Sequence, residues 1–217
     1  TPREAKAMVK YAFEFSEKHR VPVLLRPALR VAHARQNISL DAIDTTPRRA
    51  NFKKEQGRWA ATPRHRLVLH RELNDKLARI EEEFEASPLN SKSQIPNPKS
   101  LGFPLGLIAA GVPYATAREL LSEFNVEIPM LKIGTVYPLP RKLVSDFVAQ
   151  CEKVLVLEEP DAAIELKMPD RRNVLGRMDG TIPNAGELSP DVLYAILARV
   201  LADARLIAPQ PAASAAN

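Results

Sequence analysis

Along the chain the spacing of apolar residues changes several times, and each change marks an element. Ala5, Met8, Val9, Ala12, Phe13 and Ser16 recur at helical spacing. Thr1, Pro2 and Glu4 stand before them as a capping box with proline at the first helical position. The run Val21-Pro22-Val23-Leu24-Leu25 follows. Short, continuous and apolar, it predicts a strand covered on both faces of a parallel sheet. One helix and one strand cannot close a sheet, so this unit reads as the last βα-type element of a domain whose earlier strands lie elsewhere. From Asp41 to about Arg64 there are turn residues and basic charge without periodicity. From about His65 to Glu85, Leu69, Leu73, Leu77, Ile80 and Phe84 form a narrow helical stripe, supported by the i,i+4 pair Glu72 and Lys76. Glu81, Glu82, Glu83 and Glu85 oppose the helix dipole, so that end is expected to fray or to find a basic partner. Ser87 to Ser100 is a Pro/Ser/Asn/Lys connector and the expected domain boundary.

Beyond it the alternation is regular. Leu105–Ala110, Ile128–Ile133 and Val154–Leu157 predict strands whose starts repeat at about 25 residues, the length of a βα unit with a parallel crossover. Between them lie helical patterns over Tyr114–Phe124 and from Pro140 through Leu143, Val144, Phe147, Val148 and Cys151. Asp161 is placed to cap a short helix ending before Pro169, and Ser189-Pro190-Asp191 opens a last helix bearing Leu193, Ile196, Leu197, Val200 and Leu201. The Ala/Pro/Ser-rich end from Pro209 to Asn217 predicts a disordered linker. The expected fold class is α/β: a flavodoxin-like open, mostly parallel sheet with helices on both faces.

Composition narrows the chemistry. Hydrophobic residues are 45% of the 217, enough for a substantial core. Cys151 is the one cysteine, which excludes an internal disulfide, a cysteine-ligated zinc site and an iron–sulfur cluster held by this chain. No apolar run reaches the ~20 residues of a membrane span, and no signal pattern opens the chain, so the expected location is the cytoplasm. Charge is uneven. Residues 1–100 hold 20 Lys and Arg against 12 Asp and Glu, whereas residues 101–217 hold 11 against 14. The densest stretch carries Arg48, Arg49, Lys53, Lys54, Arg58, Arg64, Arg66 and Arg71 against Glu55 alone. Such a run fits an anionic partner, a solvated connector or a subunit contact. Only Phe52 and Trp59 interleave, thin for base stacking, so a subunit contact is favoured over nucleic acid.

In an open parallel sheet, function gathers at the carboxyl ends of the strands. Gly111 and Tyr114 occupy one strand-to-helix junction, although Gly102, Gly106 and Gly111 lack dinucleotide-binding spacing. Glu158 and Glu159 directly follow another strand, where a carboxylate serves as acid or base, contacts a cofactor across an interface, or organises a turn. Being adjacent, they point to opposite faces and are not a paired-carboxylate device. Arg26, Arg30 and His33 follow the first predicted strand, and their chemistry suits a carboxylate or phosphate as well as it suits surface arginines with a hydrogen-bonded histidine. His65 and His70 lack a third ligand, so no metal site is expected. No nucleophile elbow, Walker loop or zincin motif is present. Catalytic residues stay unknown on this reading.

Several strings, in order, resemble a known family. EAKAMVKYAF (4–13) followed by VPVLLRPALRVAH (21–33) resembles the end of the pyrimidine-binding domain of thiamine-diphosphate-dependent 2-oxoacid:ferredoxin oxidoreductases. IEEEFEASPLN (80–90), GLIAAGVPY (106–114), LKIGTVYPLP (131–140), VLVLEE (154–159) and VLGRMDGTIPNAGELSPDV (174–192) are similar to the alpha subunits of the branch acting on indolepyruvate. The resemblance implies oxidative decarboxylation of aryl 2-oxoacids to acyl-CoA and CO₂ with reduction of ferredoxin. It implies four segments: 1–44 as the end of the pyrimidine-binding domain, 45–100 as a basic connector with one long helix, 101–205 as a transketolase C-terminal-like domain, and 206–217 as a linker. It places Arg26, Arg30 and His33 on the active-site side, and Glu158, Glu159, Gly111 and Tyr114 at an interface or behind the site. Implied partners are a beta subunit, a second alpha subunit, ferredoxin, CoA and the 2-oxoacid, with no membrane.

The chain also departs from the family. The Gly-Asp-Gly…Asn device for Mg²⁺ and the cofactor diphosphate is missing. The nearest string, Met178-Asp179-Gly180, lacks both the first Gly and the Asn. The glutamate that activates the thiamine ring is expected upstream of Thr1, and the cluster-binding cysteines are expected on other parts of the enzyme. Thiamine diphosphate and Mg²⁺ therefore belong to the full enzyme, and this chain alone is expected to bind neither and to be inactive. The beta subunit of a 2-oxoacid dehydrogenase E1 component, a transketolase-type enzyme, and a non-catalytic binding module using the basic connector stand as alternatives.

Overall fold

The computed structural model describes residues 1–43, 45–47, 49–60, 62–92 and 102–209. Arg48, residues 93–100 of the expected connector and residues 210–217 of the expected C-terminal linker lie outside the described residues. The chain divides into two compact units, Thr1–Ile80 and Glu81–Asn217.

The first unit is helical. Helix α1 (Pro2–His19) starts at the predicted capping box: the Thr1 hydroxyl accepts from the Glu4 amide, and the Glu4 carboxylate takes the bond from the Thr1 amine at 3.0 Å. It ends at Arg20, which takes a left-handed conformation with φ 52° and donates its amide to the Ser16 carbonyl. Helices α2 (Leu29–His33) and α3 (Gln56–Trp59) are single turns, and α4 (Pro63–Glu85) crosses into the second unit. The Lys6 ammonium donates to the Ser39 carbonyl and the Asp41 carboxylate, tying that stretch back to α1. The strand expected at Val21–Leu25 does not form. A strand needs a ladder partner, and the described residues of this unit contain no other strand. Val21 is half-buried, and the side chains after it stay exposed, Leu24 to 89%.

The second unit holds the sheet. Strands β1 (Ser91–Lys92), β2 (Gly106–Ala110), β3 (Met130–Ile133), β4 (Val154–Leu157) and β5 (Val174–Leu175) lie in the order β1-β3-β2-β4-β5. All pairs are parallel except β1 with β3. The four parallel strands thus follow the 2-1-3-4 order of a flavodoxin-like sheet. Side-chain alternation sorts the core into two layers. Leu107, Ala109, Leu155 and Leu157 face helices α5 (Val112–Glu123) and α7 (Pro190–Asp203). Ile108, Leu131, Ile133, Val154 and Val156 face α6 (Arg141–Val148) and the segment bearing Ile164 and Met168. Both faces are covered, which is why these strands read as continuous apolar runs. Ser189 caps α7 as predicted, its hydroxyl accepting from the Val192 amide.

The glutamates at the end of α4 find their basic partners on α6. Arg141 forms a two-pronged pair with Glu81 at 2.7 and 2.9 Å. The Glu85 carboxylate accepts the amides of Lys142 and Leu143, the first-turn donors that Pro140 cannot cap with a side chain. Charge unfavourable to one helix end thereby neutralises the positive end of another. Among the described residues no helix is long and apolar enough to cross a membrane.

Candidate functional site

Adjacent strands β2 and β4 send their following segments to opposite faces of the sheet. The chain leaves β2 for α5 on one face, and leaves β4 for a 3₁₀ turn, Glu165–Lys167, associated with the other. This is the strand-order switch point, where open α/β sheets leave a crevice at their carboxyl edge. Gly111 and Glu158, nominated independently from the sequence, stand at its two sides.

Gly111 has φ 65°, and a side chain there would meet nothing within 4 Å, so backbone conformation alone demands glycine. It starts α5 without a side-chain cap. Tyr114 lies in the first turn, half-buried against the core, with the Lys132 ammonium 5.6 Å from its ring centre.

Glu158 is 3% exposed. Its carboxylate accepts the amides of Ala163, Ile164 and Glu165 at 2.8, 2.6 and 3.0 Å. Burial pushes its carboxyl above the usual range, the three amides pull against that, and the nearby Glu165 carboxylate adds to the rise. Glu159 points away and accepts the Leu188 amide just ahead of α7. Both carboxylates are therefore committed to backbone donors and shape the loops around the switch point.

The sequence reading missed two buried residues that complete this frame. The Glu165 carboxylate holds the amides of Arg177 and Met178. The Arg177 guanidinium donates to the Glu158 carbonyl at 3.0 and 3.1 Å and to the Pro183 carbonyl. Glu158, Glu165 and Arg177 thus lock the loops after β4 and β5 together, each charge satisfied by hydrogen bonds. The signal was present, because Arg177 falls inside the string 174–192 on which the family resemblance rests.

After β3, Asn90 does similar work. Its side-chain oxygen accepts the Gly134 and Thr135 amides at 2.9 and 3.1 Å, and its amide group donates to the Phe84 carbonyl and the Thr135 hydroxyl. A side chain on Gly134 would come within 2.5 Å of the Leu89 carbonyl, so the close approach requires glycine.

Arg26, Arg30 and His33 belong to the first unit. Arg30 and His33 share a face of α2, three residues apart, while Arg26 precedes the helix outside regular structure. Arg26 and His33 are exposed and Arg30 is half-buried.

For the thiamine diphosphate and Mg²⁺ that the resemblance implies, the donor set does not fit. The Asp179 carboxylate is already taken by the Gly176 and Thr181 amides at 2.9 and 3.0 Å and by the Thr181 hydroxyl at 2.9 Å. Burial would raise its pKa, but these donors prevail and hold it low. Among the described residues no group of three or more His, Cys, Asp or Glu could hold a metal ion.

The fold and this edge define an α/β domain in which Glu158, Glu159, Glu165 and Arg177 are spent on building loops. No protein-family model matches the chain. Among curated proteins, indolepyruvate oxidoreductase subunit IorA of Methanothermobacter marburgensis is 32% identical over 199 residues, covering 88% of this chain and 32% of that protein. The IorA subunit of Thermococcus kodakarensis is 37% identical over 171 residues, covering 76% and 26%. The chain is homologous to a portion of the IorA subunit, and spans about a third of the length of the curated relatives it matches. A solved 2-oxoglutarate:ferredoxin oxidoreductase from Magnetococcus marinus has TM-score 0.46 and 14% identity over 65% of this chain and 24% of that one, a likeness too slight to argue from.

Proposed function

We propose that the chain forms part of a cytoplasmic, thiamine-diphosphate-dependent 2-oxoacid:ferredoxin oxidoreductase that converts indolepyruvate or related aryl 2-oxoacids to acyl-CoA. The observation that carries this reading is the match to IorA subunits over 88% of the chain. Residues 1–44 are read as the end of the pyrimidine-binding domain, and residues 101–205 as the transketolase C-terminal-like domain. Thiamine diphosphate supplies the carbanion chemistry of such enzymes. Because the donors here do not fit its diphosphate–metal site, this segment contributes interface and orientation, and the chain alone is inactive. Arg26, Arg30 and His33 are assigned to the active-site side. Glu158, Glu159, Gly111 and Tyr114 are assigned to the frame behind it or to an interface with the beta or second alpha subunit. The iron–sulfur clusters are assigned to other parts of the assembly.

The test is steady-state kinetics on the assembled enzyme with indolepyruvate, CoA and ferredoxin. The expected result is ferredoxin reduction dependent on all three, with kcat or KM altered in the R30A and H33A variants. Lipoamide reduction in place of ferredoxin reduction would move the protein to the 2-oxoacid dehydrogenases. Unchanged kcat and KM in both variants would remove Arg30 and His33 from the active site.

A further inference from the structure

The basic stretch of the first unit takes no part in the frame described above, yet its side chains form an ordered pattern. The only tryptophan, Trp59, is 63% exposed, and Phe52 beside it is 75% exposed. Their rings stack at 6.3 Å between centroids and 25° between planes. Arg58 lies 5.7 Å from the Trp59 ring centre and pairs with Glu72 of α4 at 2.7 Å, which pins the aromatic-bearing turn to that helix. On α4 itself Arg64, Leu67, Val68 and Arg71 occupy positions i, i+3, i+4 and i+7 of one face, and all four are exposed. Arg49, Lys53, Lys54, Arg64, Arg66 and Arg71 are exposed and make no ion pair with a described residue.

We propose that residues 49–60 and 62–71 form a docking surface for an acidic, amphipathic polypeptide segment. Exposed aromatic and aliphatic groups ringed by arginine and lysine match an interface core with a charged rim. Nucleic acid fits less well. Phe52 and Trp59 close on each other and leave no slot between them for a base, and Leu67 and Val68 offer nothing to a phosphodiester backbone. Cations with so few opposing carboxylates call instead for acidic side chains, and the apolar pair on α4 calls for apolar residues among them. The proposal does not depend on the enzymatic reading.

Because Trp59 is the sole tryptophan, its fluorescence reports this surface directly. The full chain is titrated with a 16-residue peptide of glutamate with leucine at every fourth position, and separately with a 20-nucleotide oligothymidylate. The expected result is saturable change in Trp59 emission with the peptide. Affinity should weaken roughly tenfold in K53E/K54E and again roughly tenfold in L67S/V68S. Circular dichroism should be unchanged in both, since these side chains are exposed. No emission change with the peptide, tighter binding of oligothymidylate than of peptide, or peptide affinity indifferent to L67S/V68S would each overturn the proposal.

Discussion

The two units of this chain treat their apolar residues in opposite ways. In the second, strands β2 and β4 are buried on both faces, and Leu105, Leu107, Ile108, Leu155 and Phe147 are shut off from solvent. In the first, Phe13, Leu24, Leu29, Leu40 and Ile43 stand largely in solvent, and among the described residues Phe15 and Ile80 are its buried apolar side chains. Hydrophobic residues are 33 of the 80 in the first unit and 65 of the 137 in the second, so the first has apolar residues to bury and topology decides whether they are buried. Parallel strands spaced at βα intervals supply each other with ladder partners and cover, whereas a lone apolar run after one helix has neither. The apolar content of a segment therefore does not by itself say that the segment is covered.

The widest gap between the units should appear in stability. Phe147→Ala is expected to cost about 3–5 kcal/mol in denaturant unfolding followed by far-UV circular dichroism, while Leu24→Ser should change little, within about 0.5 kcal/mol. Equal losses would break the contrast. Within the second unit, Arg177→Met should cost about 3 kcal/mol, because it strips the donors from the buried Glu158 carbonyl and removes the bond to the Pro183 carbonyl. A neutral outcome would show the loops after β4 and β5 to be held by packing instead.

Acidity gives a third handle. Burial pushes the Cys151 thiol from its ordinary 9.0 up to about 11. The native thiol then keeps its proton where the unfolded thiol loses it, so the unfolded state binds fewer protons across that interval. Stability is full below the unfolded value and falls as pH rises toward 11, by up to about 3 kcal/mol. Cys151→Ser should remove that decline in urea titrations run across the interval, and an unchanged slope would assign it elsewhere. Smaller still, Gly134→Ala should cost about 2 kcal/mol through the close approach to the Leu89 carbonyl, read as a lowered urea midpoint. At the bottom, Arg172→Ala breaks an exposed pair with Asp170 and should leave the thermal midpoint unmoved.

Much of this was legible in the sequence. The Thr1 capping box and the Ser189 cap were readable because each depends on neighbouring residues alone, and the β4 run Val154–Leu157 because it recurs at βα spacing with other apolar runs that pair with it. Gly111 and Glu158 were nominated because strand ends in a parallel sheet attract function by topology. What escaped was contact at long separation. The two-residue strands β1 and β5 are too short to carry a period. The bond network of Glu165 and Arg177 spans loops that no spacing connects, and Asn90 reaches Gly134 and Thr135 across more than forty residues. The strand expected at Val21–Leu25 failed for the complementary reason: local pattern predicts extended structure, and only a partner strand makes it so.

Hydrogen exchange on the 217-residue chain, read by mass spectrometry, tests the contrast between the units most directly. The account predicts the slowest exchange in β2, β4 and α7, and exchange close to that of unstructured peptide across Val21–Leu25. Strong protection of Val21–Leu25 in the chain by itself would contradict it.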